Sequence, residues 1–198
     1  RPIHQLLPVS ALTALDMVPE LRERIFAEPL IERELIPEIP SLGVITDITS
    51  IKVRKQYENN PYPRWVRAHV RAKPVSVDAI FNQSALKFRS ECSLNLANPE
   101  ILIAGCGTGQ HAIESAATWC GSKLLAVDIS LASLSYAKRK TSELNIENID
   151  FLHADILDLR SLNRDFDIVE CVGVLHHMRD PHAGFKVLVD LVKPGGLI

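Results

Sequence analysis

The sequence predicts an α/β fold, a doubly wound and mostly parallel sheet preceded by a helical, proline-rich segment. Three observations carry that expectation. After residue 100, short apolar runs alternate with stretches of helical periodicity, and the connections between them are short. Ten of the 12 prolines stand at or before Pro99, while eight of the 9 glycines follow residue 100. Proline interrupts helices and central strands, so the two halves must be built differently. The apolar fraction of 46% and charged fraction of 23% are those of an ordinary globular chain of 198 residues. A boundary is expected near Asn98-Pro99, giving segments 1–50 (helical and extended), 51–99 (a proline-rich linker with helices) and 100–198 (the sheet).

In the first half, Pro19–Leu35 reads as an amphipathic helix broken by Pro29, and Pro37–Thr49 as extended chain. Ile51–Glu58 reads as a short helix that must stop before Asn60-Pro61, because a residue preceding proline avoids the α region. Asn59-Asn60-Pro61-Tyr62-Pro63 is loop chemistry, and a further helix is expected over Ser76–Phe88. In the second half, Glu100–Ala104 is an apolar strand ending in glycines. A helix follows over Gln110–Cys120, with Gly121 as its C-cap. Lys123–Asp128 is a strand ending in an acid, and Ser130 caps a helix carrying Leu131, Leu134, Ala137, Thr141 and Leu144 on one face. Ile149–His153 and Phe166–Val172 are two more strands, Pro181–Val192 a helix, and Lys193-Pro194-Gly195-Gly196 a turn into Leu197-Ile198. The chain starts at Arg1 and stops at what reads as the beginning of a fifth strand, so a C-terminally incomplete piece of a longer protein is expected.

A formal net charge of −2 gives no support for a partner held by bulk charge, such as nucleic acid or a membrane surface. No apolar run reaches the roughly 18 residues of a membrane span, and no basic-then-apolar leader opens the chain. Cys92, Cys106, Cys120 and Cys171 form no C-x-x-C pair, which speaks for reduced thiols and a cytoplasmic location and against a zinc site. A metal site at His176, His177, Asp180 and His182 is disfavoured, since adjacent histidines point apart, and none is expected.

In an open parallel sheet, ligands bind beyond the carboxyl ends of the strands, so the strand-end residues are the informative ones. Gly105-Cys106-Gly107-Thr108-Gly109 ends the first strand, and its alternate glycines make either a tight turn or a cradle for a ligand. Asp128, 19 residues beyond Gly109, ends the second strand at the distance where an acid accepts both hydroxyls of a ribose. Asp155, after the third strand, suits an exocyclic amine or the capping of a turn. Gln110 occupies the third small position of a dinucleotide fingerprint, and His111 the place of a phosphate-loop lysine, so both phosphate-cradling patterns fail.

Ile101–Gly109 with Val127-Asp128, Ala154-Asp155, Val174-Leu175-His176-His177 and Lys193-Pro194-Gly195-Gly196 resembles the seven-strand, Rossmann-like (class I) S-adenosylmethionine-dependent methyltransferases. The resemblance spans residues 100–198. Gln56–Trp65 resembles the segment preceding the methyltransferase domain in bacterial proteins that also carry tetratricopeptide repeats, which would place repeats, and protein partners, upstream of Arg1.

The resemblance implies S-adenosylmethionine as cofactor and methyl transfer to an unidentified acceptor, a small molecule or a protein. It places Gly105, Cys106, Gly107, Thr108 and Gly109 under the methionine and ribose, and Asp128 on the ribose with Ile129 against the adenine. It puts Asp155 and Ile156 at the adenine amine, and Glu170–Gly173, with Glu170 and Gly173 as contacts, beneath the sulfonium. Tyr62 and Trp65 are candidates for a flap, because an aromatic face stabilises a cation by about 0.5–2 kcal/mol; the competing reading is a hydrophobic anchor. His176 and His177 are candidates for a general base, or merely shape their loop. Arg64, Arg67 and Arg71 read as a basic helical face, and Lys138-Arg139-Lys140 as compensation of a helix dipole. Two rival functions stay open: a non-catalytic cofactor-binding or partner-binding module, and a nicotinamide-dependent oxidoreductase on the same sheet.

Overall fold

The computed structural model describes residues 18–77, 79–80 and 97–198. Its frame is a sheet of five parallel strands: β1 (Glu100–Ala104), β2 (Lys123–Asp128), β3 (Ile149–His153), β4 (Phe166–Glu170) and β5 (Val192–Leu197), in the order β3-β2-β1-β4-β5. Among the described residues it is accompanied by the α-helices α1 (Pro19–Arg22), α2 (Glu28–Leu35), α3 (Ile48–Asn59), α4 (Gln110–Thr118), α5 (Leu131–Glu143) and α6 (Pro181–Asp190).

Side chains on a strand alternate between faces, and here both faces are covered, so the strands read as continuous apolar runs. Ile101, Ile103, Leu124 and Ala126 pack under α4 and α5, with Ala112, Ala116, Leu134 and Ala137. Leu102, Ala104, Leu125 and Val127 pack against the other layer, with Leu159, Val187 and Leu188. Strand order reverses between β1 and β4, which opens a crevice at their carboxyl ends.

The proline-rich half is strapped onto this frame. Leu42 N–H donates to His153 O (2.9 Å) and His153 N–H to Pro40 O (2.9 Å), so residues 40–42 extend the sheet beside β3. Val75 pairs likewise with Trp119. The Glu58 carboxylate accepts from Leu131 N–H (2.6 Å) and Ala132 N–H (3.3 Å), capping α5 from outside alongside Ser130.

Several local expectations are corrected. Pro29 does not break the helix: a π turn over Glu23–Ala27 precedes it and carries α1 into α2. Helix α3 begins at Ile48, because the Asp47 side chain accepts from Thr49 and Ser50 N–H. Helix α4 stops at Thr118, freeing Trp119 for its bridge to Val75, so Gly121 sits in the turn beyond it rather than at its cap. Lys193-Pro194-Gly195-Gly196 is part of β5, at an irregularity in its pairing with β4. No helix runs through residues 64–71, so the three arginines share no helical face. The expected Ser76–Phe88 helix and Cys92 fall largely outside the described residues. No helix among the described residues is long and apolar enough to cross a membrane.

Candidate functional site

The crevice holds a cavity of about 660 Å³. Its floor is the loop after β1, where Gly105, Gly107 and Gly109 all have positive φ (75°, 53° and 81°). Positive φ is cheap only for glycine. A Cβ on Gly105 would run into Val174, and one on Gly109 into Ala137 of α5. Gly109→Ala is therefore expected to destabilise the domain by about 2 kcal/mol or more, from strain and overpacking together, as read by denaturant unfolding. Gly107 differs: beside it stands only the Tyr62 carbonyl, 3.8 Å from the place of a Cβ, so the space belongs to the cavity.

Asp128, at the end of β2, faces this loop. Its Oδ2 accepts from Gly107 N–H (2.8 Å) and its Oδ1 from Ser130 N–H (2.9 Å). Burial outweighs those bonds and pushes the carboxyl up to about 6. Desolvation together with the charge of Asp128 raises the Cys106 thiol well above its ordinary value, which leaves it no thiolate to act as a nucleophile. Asp155 is buried, and its Oδ1 accepts from Leu157 N–H (3.0 Å), capping a 3-10 turn over Ile156–Leu162. Capping does not take it out of the site, for Asp155, Ile156, Ile129 and Asp128 all line the cavity.

Other expected residues part company. Tyr62 lies at the mouth, 73% exposed. Trp65 does not line the cavity: it is buried against Ile113 and Tyr136, and its indole Nε1–H donates to Thr108 O (3.0 Å). Thr108 in turn donates to Pro63 O (2.6 Å), so Trp65 and Thr108 pin the proline loop to the glycine loop. Gly173 lines the cavity with positive φ and open space where a Cβ would stand. Glu170 is turned away from it, toward α4, where Ser115 Oγ donates to its Oε2 (2.7 Å) and His111 Nε2 lies 2.7 Å from the same oxygen. His177 lines the cavity with its ring edge on Tyr57, whereas His176 does not line it.

Sequence reasoning missed two contributions. Ser50, Val53 and Tyr57 of α3 form a roof, which no spacing along the chain announces. His111, read only as a missing lysine, lines the cavity next to Gln110 and Glu114. Among the described residues no group of three or more His, Cys, Asp or Glu side chains is placed to hold a metal ion.

Residues 101–196 match the family model described as a methyltransferase domain. An uncharacterized protein of Synechococcus sp. is 34% identical over 116 residues, which cover 58% of this chain and 28% of that protein. A ubiquinone biosynthesis O-methyltransferase of Acinetobacter baumannii is 28% identical over 134 residues, 67% of this chain and 54% of that enzyme. The chain thus spans about half or less of the length of these curated relatives. Among solved structures, the [4+2]-cyclase SpnF is similar in fold, with a TM-score of 0.54 and 21% identity over 78% of this chain and 61% of that one.

Proposed function

We propose that this cavity binds S-adenosylmethionine and directs its methyl group to an acceptor, a reading supported by the match of residues 101–196 to the methyltransferase-domain family. The family uses that cofactor, and the residues present fit it. One observation carries the proposal: a desolvated carboxylate ends β2 opposite the glycine loop, with a single backbone donor on each oxygen. Each oxygen keeps a lone pair to accept from a ribose hydroxyl. The open spaces at Gly107 and Gly173 leave the main chain bare along the path of the methionine tail. Ile129 and Ile156 offer apolar faces to an adenine, with the second oxygen of Asp155 at its amine.

The bound cofactor supplies an activated methyl group on a positively charged sulfur. The protein aligns the acceptor with it and excludes water, and alignment of that kind is worth up to about 7–11 kcal/mol in favourable models. Neither rival is favoured. Gln110 stands where a dinucleotide fingerprint wants a small residue, and the match in family is to methyltransferases.

Calorimetry with S-adenosylhomocysteine tests this reading. A carboxyl that titrates at about 6 in the free protein must ionise to grip the ribose. Affinity should hold steady above pH 7 and fall about tenfold by pH 5, with proton release on binding in that window. Heat evolved with NADH and not with S-adenosylhomocysteine would reverse the assignment.

A further inference from the structure

Nothing in the cofactor's recognition uses the pair formed by His111 and Glu170. His111 lies on the first turn of α4 and lines the cavity, while Glu170 ends β4 with its side chain largely buried. The carboxylate is fixed from two sides, by Ser115 Oγ and by His111 Nε2, both 2.7 Å from Oε2. A carboxylate on one ring nitrogen sets the tautomer: Nε2 keeps its hydrogen, and Nδ1 presents a lone pair. Among the described residues Nδ1 has no hydrogen-bond partner, on a side chain that is 41% exposed within the cavity wall. A base held in one tautomer and orientation by a carboxylate is the arrangement that general-base catalysis requires. The two histidines singled out in the sequence lack it. His176 does not line the cavity, and His177 leans on Tyr57 with no carboxylate within ion-pair distance among the described residues.

We propose that His111, aimed by Glu170, is the proton acceptor for a small-molecule substrate whose methylated atom is an ionisable hydroxyl, thiol or amine. The proposal rests on the methyltransferase reading. The α3 roof of Ser50, Val53 and Tyr57 supports a small organic acceptor, since the cavity of about 660 Å³ must hold the cofactor as well and leaves room only for a small molecule beside it. The acceptor atom bonds to the methyl carbon as its proton passes to His111 Nδ1; the carbon–sulfur electron pair stays with sulfur, which leaves neutral. Imidazolium then gives the proton to solvent. Glu170 is a positioning residue: it touches His111, not the acceptor.

The pair also fixes the pH at which the base is available. The hydrogen bond to Glu170 raises His111 above its ordinary value against the opposing effect of burial, and Glu114, one turn along α4, adds to the rise. Burial pushes Glu170 up, but its bonds to His111 and Ser115 outweigh this and hold it low, so the carboxylate stays ionised throughout. Asp128 titrates lower, at about 6, and is removed from the comparison by working at saturating cofactor.

Histidine NMR on the free protein, with His111 assigned through His111→Gln, should show the Nε2–H tautomer and a titration above that of an ordinary histidine side chain. Glu170→Gln should move that titration down. Methyl transfer from tritiated S-adenosylmethionine to a low-molecular-mass cell extract should rise with pH through the His111 titration and then level. His111→Gln should lose at least tenfold in rate while S-adenosylhomocysteine affinity stays within threefold, and Glu170→Gln should shift the rising limb to lower pH. Failure of the wild type to bind S-adenosylhomocysteine strikes the methyltransferase reading itself. Binding with no label in the small-molecule fraction, an undiminished rate in His111→Gln, or an Nδ1–H tautomer overturns the proposal alone.

Discussion

Asp128→Ala is expected to weaken S-adenosylhomocysteine binding about a hundredfold, close to 3 kcal/mol. Two hydroxyl-to-carboxylate hydrogen bonds disappear, and bonds to charged groups are worth about 1.5–3 kcal/mol each. The substitution also frees Gly107 N–H, which Asp128 holds at 2.8 Å, and so loosens the loop that floors the cavity. Stability of the unliganded protein should move much less. The folded carboxyl titrates at about 6, above its ordinary 3.8, so the folded state holds the proton more tightly than the unfolded state. Its contribution is therefore favourable below that window and is lost as pH rises through about 6. At pH 8 alanine removes an unfavourably buried charge along with two backbone bonds, and the two changes offset each other. Wild-type affinity in Asp128→Ala would remove the carboxylate from the site; equal losses of affinity and folding stability would make it a structural residue only.

The strands were legible because parallel strands buried on both faces need no alternation, and β1, β2 and β3 have the bounds their sequence segments predict, each built around a short apolar stretch. The fifth was misread for a physical reason. Lys193-Pro194-Gly195-Gly196 has turn chemistry, yet Pro194 needs no donor where β5 pairs only with β4 among the described residues, at an irregular register. Pro29 misled in the same way. Its missing N–H was read as a break, whereas the preceding π turn alters the hydrogen-bond ladder and the helical path continues.

The candidate site divides along a similar line. Glycines at alternate positions and an acid at a fixed separation are features of chain spacing, so the loop and Asp128 could be found without coordinates. His111 and Glu170 are 59 positions apart, and only the neighbouring placement of β1 and β4 brings α4 to the end of β4. The roof is equally tertiary. Its helix α3 is capped by Asp47 and anchored through Glu58 to α5, neither of which hydrophobic periodicity reveals.

Arg139→Met is expected to cost about 3–5 kcal/mol of folding stability, the range for removing one partner from a buried ionic cluster. Dipole compensation, the reading its sequence context invites, would be worth less than about 1 kcal/mol at an exposed site. The side chain is only 3% exposed and lies among Glu28, Glu32 and Glu143. Its Nη2 donates to Glu28 Oε2 (2.9 Å) and Glu32 Oε1 (3.0 Å), and Nε donates to the same Glu32 oxygen (3.1 Å). Arg64 also meets Glu32, at 2.8 Å, and each guanidinium lies over the Tyr136 ring, at 4.8 and 5.0 Å from its centre. With Lys140, three cations balance three carboxylates, and removing Arg139 leaves that balance short by one beside Glu32, the carboxylate water barely reaches. Arg139→Lys should recover part of the loss, since an ammonium keeps the charge but not the fork. The effect should also reach the cavity. Tyr136 donates to Trp65 O, and Trp65 donates to Thr108 O in the glycine loop, so a loosened α2–α5 clasp should weaken S-adenosylhomocysteine binding severalfold. Denaturant unfolding that places Arg139→Met within about 0.5 kcal/mol of wild type, the range for surface substitutions, would show the cluster to be no more than a solvated surface pair.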